Sequence, residues 1–197
     1  MSPRTAVEEQ QEARRAQLIG ATLAEVAEKG FSDVTLEGIA LRAGLSKGVA
    51  LYYFQSKEHL FLSAFEAIIT RLLERLQASV DAAPGAIEKI RNLVHAVFVG
   101  PKENCNFYRT YLDFMSLATR HPDFQKLNTK LYRGFQALDR GIVELGIREG
   151  VFRVDADAGV VCALFDGLLL QWLFDQPATF GDYRARCEQA LLSYLKR

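Results

Sequence analysis

Apolar residues recur every three to four positions along almost the whole chain, and nowhere do they alternate over a strand's length. The pattern predicts an all-α protein of about nine helices. A first helix is expected over Glu8–Lys29, with Leu18, Ile19, Thr22, Leu23, Val26 and Ala27 inward and Gly30 as its stop. Thr35 is placed to cap a short second helix, with Val34 and Ile39 at the positions of a hydrophobic staple. Ala43-Gly44 ends it. Ser46 can cap a third helix, very short, through about Tyr52, and Ser56 a long fourth over Lys57–Val80. Ala82-Ala83-Pro84-Gly85 and Gly100-Pro101 break the chain on either side of a fifth, Ala86–Val99. Four more are expected at Lys102–Thr119, Pro122–Glu149, Asp157–Asp175 and Gly181–Lys196.

The second and third helices are the informative pair. Ala40 and Gly44 stand four apart, and two helices that meet nearly at right angles need small residues where they cross. Ile39, Leu45 and Ala50 supply the buried contacts. This is helix-turn-helix logic, with the third helix as the one able to enter a major groove. The chain therefore divides into a small N-terminal unit, 1–55, and a larger helical body, 56–197, with the helix at 56–80 joining them.

Charge sharpens that reading only when taken locally. The 197 residues carry 24 basic and 24 acidic side chains, which argues against a protein that simply coats nucleic acid. From Gly38 to Lys57, however, Arg42, Lys47 and Lys57 occur without a single acid. Ser46-Lys47-Gly48 begins the third helix with small groups and one cation, where backbone N–H groups and the dipole favour a phosphate. Gly48 weakens the helix by about 1 kcal/mol relative to Ala but permits close approach to a sugar-phosphate chain. The phenols of Tyr52 and Tyr53 can reach phosphates or base edges. Tyr53 reads equally well as a core residue, and Phe54 reads as core. Lys57 directly follows its cap Ser56, where the helix dipole disfavours a cation, and a phosphate would compensate. Arg42 reads equally as a phosphate contact or as solvated charge, and Arg14 and Arg15 read as ordinary solvated charges rather than as an arm reaching a minor groove or the backbone.

At these residues the chain resembles a known family. Thr35-Leu36-Glu37-Gly38-Ile39-Ala40, Ala43-Gly44-Leu45-Ser46-Lys47-Gly48 and Tyr52-Tyr53-Phe54-Gln55-Ser56-Lys57-Glu58-His59-Leu60-Phe61 are similar to the DNA-binding domain of TetR-type transcriptional repressors, over about residues 14–62. The resemblance implies that Thr35 holds a phosphate and that Ser46, Lys47, Gly48 and Val49 face the groove. It implies further that Tyr52 and Tyr53 contact phosphate or bases and that Lys57 clamps a phosphate. Leu51 departs from the pattern, because many members carry Tyr there. The implied function is a ligand-responsive repressor that binds a near-palindromic double-stranded operator as a homodimer, with no cofactor. A helical small-molecule binder or interaction module without DNA binding is the alternative, and the acid-free stretch stands against it.

The larger body carries the other expectations. From Val160 to Phe174 the eighth helix is apolar nearly all round, which requires cover on more than one side. A second subunit would supply it through Leu164 and Leu168, together with Cys187, Leu191, Tyr194 and Leu195 of the last helix, in a four-helix bundle. Phe107, Tyr108, Tyr111 and Met115 line one side of the sixth helix, and Asp166, Gln171 and Trp172 lie on the eighth. These seven are the candidate effector site, although each aromatic also reads as core packing. Tyr, Trp and Asp can hold a cation, as in the choline-sensing members of the family.

Other classes find little support. His59, His95 and His121 are isolated, and no metal-ligand spacing, phosphate loop or nucleophile elbow occurs, so neither catalysis nor a metal is expected. Cys105, Cys162 and Cys187 read as reduced thiols of a cytoplasmic protein. The first 15 residues lack an apolar secretory segment, and no run is suited to crossing a membrane.

Overall fold

The computed structural model describes residues 3–175 and 179–197; Met1 and Ser2, at the head of the polar N-terminal stretch, lie outside it. Among the described residues the chain forms nine α-helices: α1 Pro3–Lys29, α2 Leu36–Arg42, α3 Lys47–Tyr53, α4 Lys57–Asp81, α5 Ala86–Val97, α6 Pro101–Ala118, α7 Pro122–Arg148, α8 Ala158–Leu173 and α9 Phe180–Leu195. A 3-10 turn at Phe31–Asp33 follows α1. Among the described residues the only β pairing is an isolated antiparallel bridge between Phe152 and Lys196.

The boundaries that differ from expectation have local causes. α1 starts at Pro3, five residues early, because proline's missing N–H costs nothing in the first turn of a helix. α5 stops at Val97 because the buried Asn104 takes over the next backbone groups. Its Oδ1 accepts from Val99 N at 3.0 Å and Gly100 N at 3.2 Å, while its Nδ2 donates to Val97 O at 2.8 Å. α6 then begins on Pro101.

Two compact units result. The first joins Met1–Ile69 with Arg109–Leu127. Its core is aromatic: Phe65 stacks on Phe114 at 4.0 Å between ring centres, Phe31 on Phe61 at 4.8 Å, and Phe124 lies 5.5 Å from Phe114. Such ring pairs each contribute about 0.5–1.5 kcal/mol beyond the burial itself. Tyr111 belongs here, parallel to Phe65.

The second unit joins Thr70–Tyr108 with Asn128–Arg197, and in it α9 packs on both α5 and α8. The end of α7 is locked by a hook. Phe152 N donates to Gly146 O at 3.0 Å, and a Cβ on Gly146 would lie only 2.0 Å from the Phe152 ring, so only glycine fits beneath it. Glu149 completes the hook by accepting from Ala86 N at 3.0 Å, which caps α5. Among the described residues no helix is long and apolar enough to cross a membrane.

Candidate nucleic-acid interface and a buried acidic cluster

The α2–α3 corner is built by backbone chemistry that the local residues dictate. Gly44 adopts φ 67°, the left-handed conformation that closes a helix end, and Leu45 N returns to Ala40 O at 2.9 Å. Thr35 Oγ1 accepts from Gly38 N at 3.0 Å and Ser46 Oγ from Val49 N at 3.3 Å, so both short helices are capped by their own side chains. Ile39, Ala40, Ala50 and Phe54 bury the inner face. The outer face of α3 is thereby presented to solvent. Ser46, Lys47, Gly48 and Leu51 are exposed, Val49 and Tyr53 are half-buried, and Tyr52 is 76% exposed with its ring edge-on to Tyr53.

The three cations of this stretch turn out to be unlike. Lys47 reaches Glu37 only at 3.7 Å, both side chains being exposed, a contact that leaves its charge available. Arg42 is committed. Its Nε lies 2.7 Å from Glu25 Oε1 and its Nη1 donates to Glu28 Oε1 at 3.0 Å, so the guanidinium is paired with two carboxylates of α1. Glu25 is buried and is also held by Lys29 at 2.6 Å. The Lys29 hydrogen bond, with Arg42 adding to it, keeps the Glu25 carboxyl below its ordinary range. Arg42 thus forms the ion pair that ties α2 to α1 and partners the buried Glu25 carboxylate, with a third of its side chain still exposed.

Lys57 sits at the start of α4 as expected, but its compensation is internal. Its Nζ donates to Phe31 O at 3.0 Å and lies 4.3 Å from the centre of the Phe31 ring. The Phe31 N–H in turn donates to Asp113 Oδ2 at 2.8 Å. The unfavourable dipole thus no longer demands a phosphate, although two of the three ammonium protons stay uncommitted to that carbonyl.

The seven candidate effector residues are distributed over both units. Tyr111 and Met115 fall in the first unit, where Tyr111 is part of the aromatic core. Phe107, Tyr108, Asp166, Gln171 and Trp172 fall in the second. Gln171 is exposed. Trp172 is buried edge-on to Phe180, and its Nε1 has no acceptor among the described residues. An open groove of about 620 Å³, lined by Gln136, Arg140, Glu144, Asp155 and neighbours, contains none of the seven.

What gathers around Asp166 is instead an acidic cluster. Tyr132 Oη donates to Asp166 Oδ2 at 2.7 Å. Asp139 is 4% exposed, and burial together with the nearby Asp166 charge pushes its carboxyl up to about 8. Asp166 is raised as well, by burial, against the lowering effect of the Tyr132 hydrogen bond. Burial, then the charge of Asp166, raises the Tyr108 phenol well above its ordinary value. The Cys162 thiol is pushed up to about 12 for the same reasons, and Cys187 to about 12 by burial alone. Asp139 and Tyr132 escaped the sequence reading. The legible signal was a carboxylate on the inward stripe of α7, beside Leu138 and one turn before Ile142 and Val143.

The dimer residues also divide. Cys187, Leu191 and Leu195 have no exposed surface within their own chain, so their expected place against a second subunit is corrected: α9 spends that stripe on α5 and α8. Tyr194 is half-buried, and its hydroxyl accepts from Asp157 N at 2.8 Å. Leu164 and Leu168 remain half-exposed on α8, flanked by Val160 at 37% and Phe174 at 82% exposure.

Comparison with known proteins fits this geometry. Residues 18–64 match the family described as bacterial regulatory proteins, tetR family, and residues 86–197 match the BetI-type transcriptional repressor C-terminal family. An HTH-type transcriptional regulator BetI from Burkholderia thailandensis is 32% identical over 168 residues, 81% of this chain and 82% of that one. The BetI of Serratia proteamaculans is 36% identical over 118 residues, 58% of this chain, and the chain spans 59% of that relative's length. Among solved structures, a transcriptional regulator from Saccharomonospora viridis in complex with choline superposes with a TM-score of 0.83 at 23% identity, covering 93% of this chain and 97% of that one.

Proposed function

Since this chain belongs to the TetR family of bacterial transcriptional regulators, with a BetI-type C-terminal region, we propose that it is a repressor that grips a near-palindromic operator as a homodimer and releases it when a small organic cation binds. The observation that carries the DNA reading is the outer face of α3. Ser46, Lys47, Gly48 and Tyr52 stand exposed there on a helix whose inner side is fully packed. Ser46 to Val49 read the major groove, Tyr52 and Tyr53 contact phosphate or base edges, and Thr35 donates its hydroxyl proton to a phosphate. Lys57, already positioned by the Phe31 carbonyl, clamps another. Residues 1–55 form the helix-turn-helix part and 56–197 the dimerising, effector-binding part, with the helix at 56–80, whose Lys57 meets the DNA, linking the two.

The cation reading rests on the second unit, where Asp139, Asp166, Tyr108 and Tyr132 form a group of acidic side chains around Asp166. The choline held by the Saccharomonospora viridis protein makes quaternary ammonium compounds the natural probes. Release follows if the cation prefers a dimer whose α3 helices are misspaced for two grooves; a preference of about 2.8 kcal/mol would weaken operator binding about a hundredfold.

Fluorescence anisotropy with DNA from upstream of the protein's own reading frame tests this. Saturable, salt-sensitive binding is expected, reversed by a member of a quaternary ammonium panel; complete indifference to DNA at low salt would sink the repressor reading. Lys47→Ala and Lys57→Ala should each reduce the salt slope by about one, whereas Arg42→Ala should leave it unchanged.

A further inference from the structure

Asp139 is a carboxyl group with nothing to balance it. It lies on the buried stripe of α7 between Leu138 and Ile142, and among the described residues no donor or cation meets it. Its helical neighbours one turn away are Phe135, Gln136, Ile142 and Val143, and those of Asp166 are Cys162, Ala163, Leu169 and Leu170, so neither helix supplies a cation. The other ionisable groups facing the pair are Tyr132 on α7, Tyr108 on α6, Cys162 on α8 and, beside Tyr108, Cys187 on α9. All four are neutral acids. Two carboxylates in such surroundings cannot both ionise cheaply, because the buried Asp139 loses its water and faces a like charge on the half-buried Asp166. The Tyr132 hydroxyl stabilises the Asp166 anion, so the proton resides on Asp139.

We propose that the Asp139–Asp166 pair holds one proton while the site is empty and surrenders it to solvent when an organic cation enters, so that effector binding is coupled to release of one proton. The coupling rests on the cation reading above and adds a regulatory property to it: the repressor responds more readily at higher pH. The cation replaces the proton as the charge that balances the pair, and Asp139 then stays ionised without the penalty it bears in the empty site.

Calorimetric titration of the full-length protein with choline, in two buffers of different ionisation enthalpy, reads the proton count directly. About one proton released near neutral pH is expected, with affinity rising up to about tenfold per pH unit below about 8 and levelling above it. Asp139→Asn, which mimics the protonated group in shape, should abolish both the release and the pH slope. Binding of choline with no proton released, or with the same release in Asp139→Asn, overturns the coupling and leaves the cation reading intact. If no member of a quaternary ammonium panel binds, the cation reading falls and the coupling with it. Infrared spectroscopy of the effector-free protein supplies a ligand-independent arm. A protonated-carboxyl carbonyl stretch present at neutral pH and lost in Asp139→Asn supports the proton, and its absence from the unaltered protein overturns it.

Discussion

At the residue scale, side chains of one chemical type play opposite parts according to what faces them. Lys47 points away from the protein, Arg42 is consumed by Glu25 and Glu28, and Lys57 is split between a carbonyl, a ring and open solvent. Asp139 gives the sharpest residue-level prediction. Its folded-state value, about 8, lies above the ordinary 3.8, so the native state binds the extra proton between the two. Stability from this group is therefore complete below the unfolded value and is lost as pH rises toward about 8. Unaltered protein should lose stability relative to Asp139→Asn by as much as about 1.4 kcal/mol per pH unit across that window. Denaturant titrations at several pH values check this, and parallel curves for the two proteins would refute it. The sequence reading had no access to this group's state. An aspartate in a helical stripe is visible, but its state depends on Asp166 and Cys162 of α8, which only folding brings to it.

At the element scale, the helix-turn-helix was legible because its determinants are local. Thr35, Ser46 and Ser56 cap the helices that follow them, and Gly44 supplies the one left-handed residue that the turn needs. Two glycines in this element should respond in opposite directions. Nothing lies within 4 Å of a Cβ at Gly44, so Gly44→Ala should cost the backbone term alone, about 1–2 kcal/mol. Gly48 has a helical backbone and its nearest neighbour is Ser46 Oγ at 3.9 Å, so Gly48→Ala should stabilise the fold by up to about 1 kcal/mol. The same substitution should weaken operator binding, since the added methyl stands on the face proposed to meet DNA. Urea denaturation alongside anisotropy separates the two effects; equal stability losses at both positions would contradict this account of the turn.

At the scale of the whole molecule, the open question for a dimer is which surface remains after each unit has packed its own core. α9 offers little, because Cys187, Leu191 and Leu195 are spent internally. α8 offers more: Val160, Ala163, Leu164, Gly167, Gln171 and Phe174 follow one another at helical spacing on its uncovered side. Leu164→Asp should accordingly weaken self-association by at least about tenfold, or ~1.4 kcal/mol, and lower operator affinity with it. Light scattering after size-exclusion chromatography reads the first effect; an undiminished dimer would move the interface off α8.

The amino-acid sequence by itself determined the helices, their caps and breaks, the helix-turn-helix and the exposure of Ser46, Lys47 and Tyr52, because these follow from spacing within a few turns of chain. Periodicity also marked α8 as needing cover on two sides. Which apolar stripe is spent inside the chain and which is left over was decided only by tertiary packing, as the division between α9 and α8 shows. Packing likewise decided that Tyr111 joins an aromatic core while Tyr108 joins Asp166 and Tyr132, although the two tyrosines stand three residues apart on one helix. The physical reason is the same in both cases. A side chain's burial, charge state and availability depend on groups distant in sequence, and no local pattern records which of them will arrive.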